Sequence, residues 1–266
     1  MFDYDKKIKE TNSPAWGLYN DLVSTVPSDS IILDAAKGKN WTFMESKDGL
    51  GVSHTFRPFE HQEPIEPKDL IGKPVKEAAE LIYSWNFDYA SFGMSAINIA
   101  LNTPEREKLL KAEVPLNKKE DTISKLMPKF EGKRVAIVGH FPKVERYAEN
   151  HDLFILELAP SVESDVFTSA SEYILPSCDL VMMTGMTLAN KTAPRLLELS
   201  KNACVALVGP SVPVSEVLFD YGVDVIASSV AHDINRTKEL ILDPSVGKLF
   251  GEAFNTTTVK RPGFTW

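Results

Sequence analysis

With 266 residues, 43% hydrophobic and 25% charged, the chain is long enough to bury one large core or two modest ones, and two domains are expected. Its 29 basic and 37 acidic residues give a formal net charge of −8 without any Lys/Arg-rich run, which argues against nucleic-acid or anionic-membrane partners, since both depend on basic patches. No apolar stretch nears the roughly 18 to 20 residues that span a bilayer, the opening "MFDYDKKIKETNSP" lacks the apolar core of a signal peptide, and a cytoplasmic location is expected.

In chain order, "SPAWGLYNDLVSTV" predicts a helix with Ser13 as N-cap, Pro14 at its first position and Leu18, Leu22, Val23 and Val26 at helical spacing. "WTFMESKDGLGVSHTF" predicts a β-hairpin around Lys47-Asp48-Gly49. In "KPVKEAAELIYSW", Val75, Ala78, Ala79 and Ile82 share one helical face. "DYASFGMSAINIALNTP" reads as a buried helix capped by Asp88 and stopped at Asn102. Asn98 lies inside it, and a buried amide is costly unless hydrogen-bonded, so it either ties down backbone or faces a ligand at the domain junction. His54 in the hairpin, His61 in "FEHQEP" and His151 in a turn are given structural or surface places. Residues 1–117 are therefore expected to form a small α+β domain, and the charged linker "PLNKKEDTISKLMPKFEGK", with a short helix over Asp121 to Met127, marks its end.

Residues 118–266 repeat a unit. "RVAIVG", "LFILEL", "DLVMMTG", "CVALVG" and "VDVIAS" are continuously apolar, as expected of strands buried on both faces of a parallel sheet. Helical patterns in "PKVERYAEN", "LANKTAPRLLELSKN" and "VPVSEVLFDYG" fit between them, so the fold class is α/β with a doubly wound parallel sheet. Right-handed crossovers place all five strand ends on one edge, where ligands bind in such sheets. Cys178 and Cys204 lack metal or redox spacing and read as buried thiols.

The strand tips carry the candidate chemistry: Gly139-His140, Glu157, Thr184-Gly185 with Thr187 and Asn190, Gly209-Pro210-Ser211, and Ser228-Ser229 with His232 and Asp233. Glu157 follows Gly139 by 18 residues, close to the spacing at which a dinucleotide-binding fold holds a ribose hydroxyl. His140, Phe141 and Pro142, however, stand where further glycines would cradle a pyrophosphate. In "MTGMTLANKT", Thr187 is expected to cap a helix whose N–H groups favour an anion, with Asn190 offering an amide, and "VGPSVPVSEV" repeats the arrangement with Ser211 as donor. His140, His232 and Glu157 are candidate metal ligands, and His140 or Glu157 a candidate general base.

These motifs, "SAINIALN" followed by "VAIVGHFP", "LELAP", "MTGMTLANKT" and "VALVGPSVP", resemble the DUF364 family, named for heavy-metal chelation, with its attached DUF4213 amino-terminal domain. The resemblance covers nearly the whole chain. It implies an enolase N-terminal-like first domain, a Rossmann-like second domain, and a cleft site between them drawn from Asn98, Gly139, His140, Glu157, Thr184, Gly185, Thr187, Asn190, Gly209, Pro210 and Ser211. The leading expectation is a protein that binds a small anionic or metal-chelating ligand there, with a divalent metal ion as possible cofactor. Two alternatives stand beside it: a lyase or transferase acting on a nucleotide-like or pterin-like molecule, and a degenerate nucleotide binder that takes NAD or S-adenosylmethionine. The oligomeric state is left open, a homo-oligomer being one outcome.

Overall fold

The computed structural model describes residues 4–57, 60, 62–115 and 122–265; the expected places of His61, of Asp121 and of the 117/118 boundary fall outside them. The amino-terminal half contains helices α1 (Tyr4–Lys9), α2 (Trp16–Ser24), α3 (Val75–Ala79), α4 (Phe87–Leu101) and α5 (Pro104–Leu109). Its strands β1 (Ile32–Lys37), β2 (Trp41–Ser46) and β3 (Gly49–His54) form an antiparallel meander in that order. The hairpin at Lys47-Asp48 is as expected, whereas β1 is an additional strand that carries the exposed Leu33.

Helix α4 is apolar on all sides, and twelve of its fifteen residues are buried, so it is enclosed rather than laid on a surface. Gly51 on β3 permits this, because a Cβ there would stand 1.9 Å from the Ser95 carbonyl oxygen of α4. The side-chain cap is Asn86, whose oxygen accepts from Asp88 N at 3.1 Å. Asp88, expected in that role, is instead fully buried, with both carboxylate oxygens 2.7–2.8 Å from Lys37 Nζ and a further bond from Ile65 N. A buried carboxylate needs that cation more than a helix end needs a second cap. Helix α2 likewise starts at Trp16, two residues later than expected, and Ser13 only accepts locally from Ala15 N.

The carboxyl-terminal half comprises α6 (Thr122–Leu126), β4 (Arg134–Val138), β5 (Asp152–Glu157), β6 (Asp165–Phe167), α7 (Ser171–Ile174), β7 (Leu180–Thr184), α8 (Met186–Ala189) and α9 (Ala193–Leu199). It continues with β8 (Cys204–Val208), α10 (Val217–Asp220), β9 (Val225–Ala231), α11 (Ile234–Leu242) and β10 (Phe254–Lys260). One seven-stranded sheet runs β10-β9-β8-β7-β4-β5-β6, parallel except for β10, and its order reverses between β4 and β7 as in doubly wound folds. The five expected apolar runs are β4, β5, β7, β8 and β9; β6 and β10 are additional. Three expected helices shrink. "PKVERYAEN" forms only a 3₁₀ turn at Val144–Tyr147, α10 is a single turn, and Lys191 at φ 65° breaks "LANKTAPRLLELSKN" into α8 and α9. Burial pushes the Cys178 thiol up to about 11 and that of Cys204 to about 12, as fits inert thiols. No helix among the described residues is long and apolar enough to cross a membrane.

The halves are joined through two amides one turn apart on α4. Asn98 Nδ2 donates to Val52 O of β3 at 2.9 Å and lies 3.2 Å from Ser211 O. Asn102 Nδ2 donates to Val212 O and Ser228 Oγ, both at 3.0 Å, while its Oδ1 accepts from Val214 N at 2.9 Å. His54 N donates to Ser211 Oγ at 2.9 Å, and Arg106 pairs with Glu216.

Replacing Asn102 by alanine leaves the buried Val214 N–H unpaired while Val212 O keeps Ser228 Oγ, and urea denaturation is expected to show a loss of about 2 kcal/mol. Gly51→Ala is expected to cost about as much, because the shortest contact is with backbone and no rotamer relieves it.

Candidate functional site

At the carboxyl ends of β4, β5, β7, β8 and β9 the chain encloses a cavity of about 580 Å³, to which Trp41 and His54 of the meander also contribute. Every strand-tip candidate from Gly139 to Ser229 lines it, from Gly139-His140 and Glu157 to Gly209-Pro210-Ser211, whereas Asn98 and His232 do not. Its aromatic side is a row of edge-on rings: Trp41 meets His54 at 5.6 Å and Phe250 at 5.9 Å, and His54 meets Phe56 at 5.7 Å. No lysine or arginine is among the lining residues.

The tip of β4 is tightly built. Gly139 has φ 94° and donates to Leu156 O at 2.8 Å, and a Cβ on it would stand 2.7 Å from Thr184 Cγ2, so the β4 and β7 tips nearly touch. The Glu157 carboxylate is engaged at both oxygens, by His140 N at 2.7 Å and by Leu158 N at 2.9 Å. The His140 ring is engaged at both nitrogens: Nδ1 lies 2.6 Å from Asp165 Oδ1 and Nε2 lies 3.0 Å from Glu145 Oε1. Asp165 is held in turn by Ser161 N and Val162 N through its other oxygen. The bond to Asp165 raises the His140 pKa above the ordinary histidine value, against the opposing effect of partial burial. The Asp165 carboxyl is held low, chiefly by the Ser161 N–H and then by His140. This arrangement is a histidine–carboxylate latch joining the loops that follow β4 and β5.

The hydroxyl and amide candidates are also partly engaged. Helix α8 is a single turn whose N-cap is Gly185, and Thr187 lies inside it, donating to Thr184 O at 2.7 Å rather than capping. Asn190 is the C-cap of α8, and its side-chain oxygen accepts from Thr192 N and Oγ1 at 3.1 and 2.7 Å. Ser211 is buried, with its oxygen accepting from His54 N. His232 pairs with the buried Glu107 of α5, Nε2 to Oε2 at 2.9 Å, and Asp233 caps α11 through Arg236 N. The trio His140, Glu157 and His232 is therefore not assembled, and no group of three or more His, Cys, Asp or Glu placed to hold a metal ion occurs among the described residues.

Two residues outside the candidate set stand out. His54 lines the cavity, and neither of its ring nitrogens has a hydrogen-bond partner among the described residues. Burial lowers its pKa, so the ring is neutral at pH 7. Lys191, between the cavity residues Asn190 and Thr192, lies 5.5 and 5.3 Å from the ring centres of Trp85 and Phe87, and burial pushes it down to about 7. The apolar to polar switch at strand tips points to the first-half strands as well, and extending that rule to the end of β3 would have found His54.

These features define a class: a doubly wound α/β sheet fused to a helix-backed antiparallel meander, with an aromatic-walled cavity at the sheet's carboxyl edge. The DUF364 family model, described as "Putative heavy-metal chelation", matches residues 121–260, and the DUF4213 model, described in the same words, matches residues 19–101. The chain belongs to the DUF364 family. It is similar to a crystallised family member of unknown function from Desulfitobacterium hafniense, with 34% identity, TM-score 0.84 and coverage of 93% of this chain and 99% of that one. A family member from Pyrococcus horikoshii, 19% identical over the same shares, has the same fold at TM-score 0.74. An uncharacterized protein of Methanocaldococcus jannaschii is 29% identical over 252 residues, 90% of this chain and 94% of that protein.

The latch has a signed pH dependence. A raised histidine pKa contributes stability that is fully present below the unfolded value of about 6.5 and is lost as pH rises through the folded value. The lowered Asp165 contributes above its unfolded value of about 3.9 and loses that contribution as pH falls through its folded value. The melting-temperature gap between wild type and His140→Gln is therefore expected to be larger at pH 6 than at pH 9, as differential scanning calorimetry would read it.

Proposed function

We propose that the protein binds a small organic metal chelate in the cavity between residues 1–117 and 118–266, acting as two domains. The observation that carries this reading is the pairing of an aromatic-walled cavity of ligand size with the lack of a three-ligand metal group among the described residues. Small-molecule sites commonly enclose about 300–1,000 Å³ with apolar walls and a few convergent polar groups. Such walls suit the organic shell of a chelate better than a hydrated ion. The family's description in terms of heavy-metal chelation supports the same ligand class.

Charge argues for the chelating rather than the anionic form of the ligand. No lysine or arginine among the described residues lines the cavity, and both ring nitrogens of His140 already meet carboxylates. A dinucleotide would lack its usual partners, because Glu157 is engaged, a 3₁₀ turn rather than an α-helix follows β4, and Thr184 packs against Gly139. The same engagement of His140 and Glu157 removes the two expected general bases, which supports binding over turnover.

Thermal-shift and calorimetric titrations with copper(II) and nickel(II), as bare ions and as their bipyridyl and iminodiacetate complexes, test the reading. Saturable stabilisation by one or more complexes is expected, with a weaker effect of the bare ions, and Trp41→Ala is expected to cost roughly tenfold in affinity through loss of ring contact. Equal responses to ions and complexes, or none to either, would refute it.

A further inference from the structure

The expected metal ligands and the available ones are different residues. His140 has both ring nitrogens on carboxylates, His232 is on Glu107, and His151 has Nδ1 and Nε2 within 2.9 Å of the carbonyl oxygens of Tyr147 and Met127. His54 alone among the described histidines combines a place on the cavity wall with two ring nitrogens that meet no hydrogen-bond partner among the described residues.

Its setting is built for a fixed ring. His54 ends β3, its backbone N–H is held by Ser211 Oγ at 2.9 Å, and its carbonyl accepts from Ser91 Oγ at 2.5 Å. The ring stands edge-on between Trp41 and Phe56 at interplanar angles of 89° and 85°. Backbone clamps from α4 and from the loop after β8, with an aromatic ring on each side, fix the imidazole without using either nitrogen. Metal-bound histidines are commonly oriented by a hydrogen bond at the second nitrogen; here packing does that work and leaves both nitrogens for the occupant.

We infer that His54 supplies a single imidazole nitrogen to the metal of a chelate that has an open coordination position, so that the protein contributes one donor and the chelator the rest. The inference rests on the proposed chelate reading. It accounts for why a cavity suited to a chelate has no cluster of three protein ligands, since one donor completes a coordination sphere that the ligand mostly fills. Borderline ions such as copper(II) and nickel(II) accept imidazole readily and fit this role.

Copper(II)–iminodiacetate, a chelate with an open in-plane position, is the probe, read by electron paramagnetic resonance alongside the thermal shift. Wild type is expected to show superhyperfine splitting from two nitrogens, the amine of iminodiacetate and one imidazole, and His54→Gln to lose the imidazole contribution and bind roughly tenfold more weakly or worse. His54→Phe keeps the ring row and serves if the glutamine variant melts early; His140→Gln is expected to retain the splitting. If wild type binds the complex with splitting from the iminodiacetate nitrogen alone, or if the imidazole splitting persists in both His54 variants, the inference falls while the chelate reading stands. If no chelate stabilises wild type at all, both fall together.

Discussion

The buried amides of Asn98 and Asn102 are the constraint on which the rest of the molecule depends. One helical turn apart, they emerge on the same face of α4. Their partners are carbonyls and an N–H of the segment 210–214, which follows β8 and forms one wall of the cavity. Asn102 is paired at both ends of its amide, whereas Asn98 pairs through Nδ2 and its Oδ1 has no partner among the described residues; sliding the halves would break the Asn102 bonds at a cost, since polar groups buried this deeply are costly when unpaired. The cavity's width is set by that joint. The same stretch that holds the halves together presents Pro210 and Ser211 to the cavity, and Ser211 then fixes His54.

Charge at the cavity follows from the need to hold loops. The loops after β4 and β5 have little regular structure, and their order comes from Glu157 gathering two backbone N–H groups and from His140 bridging Asp165 and Glu145. Carboxylates that accept from backbone and imidazole are fixed in place, which suits scaffolding. What faces the interior is accordingly close to neutral: rings, hydroxyls and the unpaired imidazole of His54.

The parts of the fold that the sequence displayed were those governed by local pattern. Continuous apolar runs marked β4, β5, β7, β8 and β9, and the alternation of strands and helices put their tips on one edge. The missed strands lack that signal. β6 is three residues at one sheet edge with Phe167 exposed, and β10 at the other edge breaks its apolar run with three consecutive threonines. Asp88 was misread as a cap because a long-range cation, Lys37, decided its place. His232 and His54 exchanged importance for the same kind of reason. Whether a strand-end histidine meets a carboxylate or open space depends on which element packs over it, and for His232 that element is α5, whose Glu107 lies 125 positions earlier in the chain.

A rigid, nearly neutral pocket discriminates by shape rather than by net charge. With the joint fixed, little is lost in ordering the protein when a ligand arrives, and affinity comes from ring contact and from whatever donor the occupant still requires. Strongly charged small ions gain little from such walls, because leaving water costs more than hydroxyls and ring edges return. A molecule that carries its own donors has already met that cost. On the proposed reading, aromatic walls, engaged carboxylates and an imidazole with no partner among the described residues would favour a preformed complex over its separate ion, through features that trace back to the two amides of α4 and the serine they position.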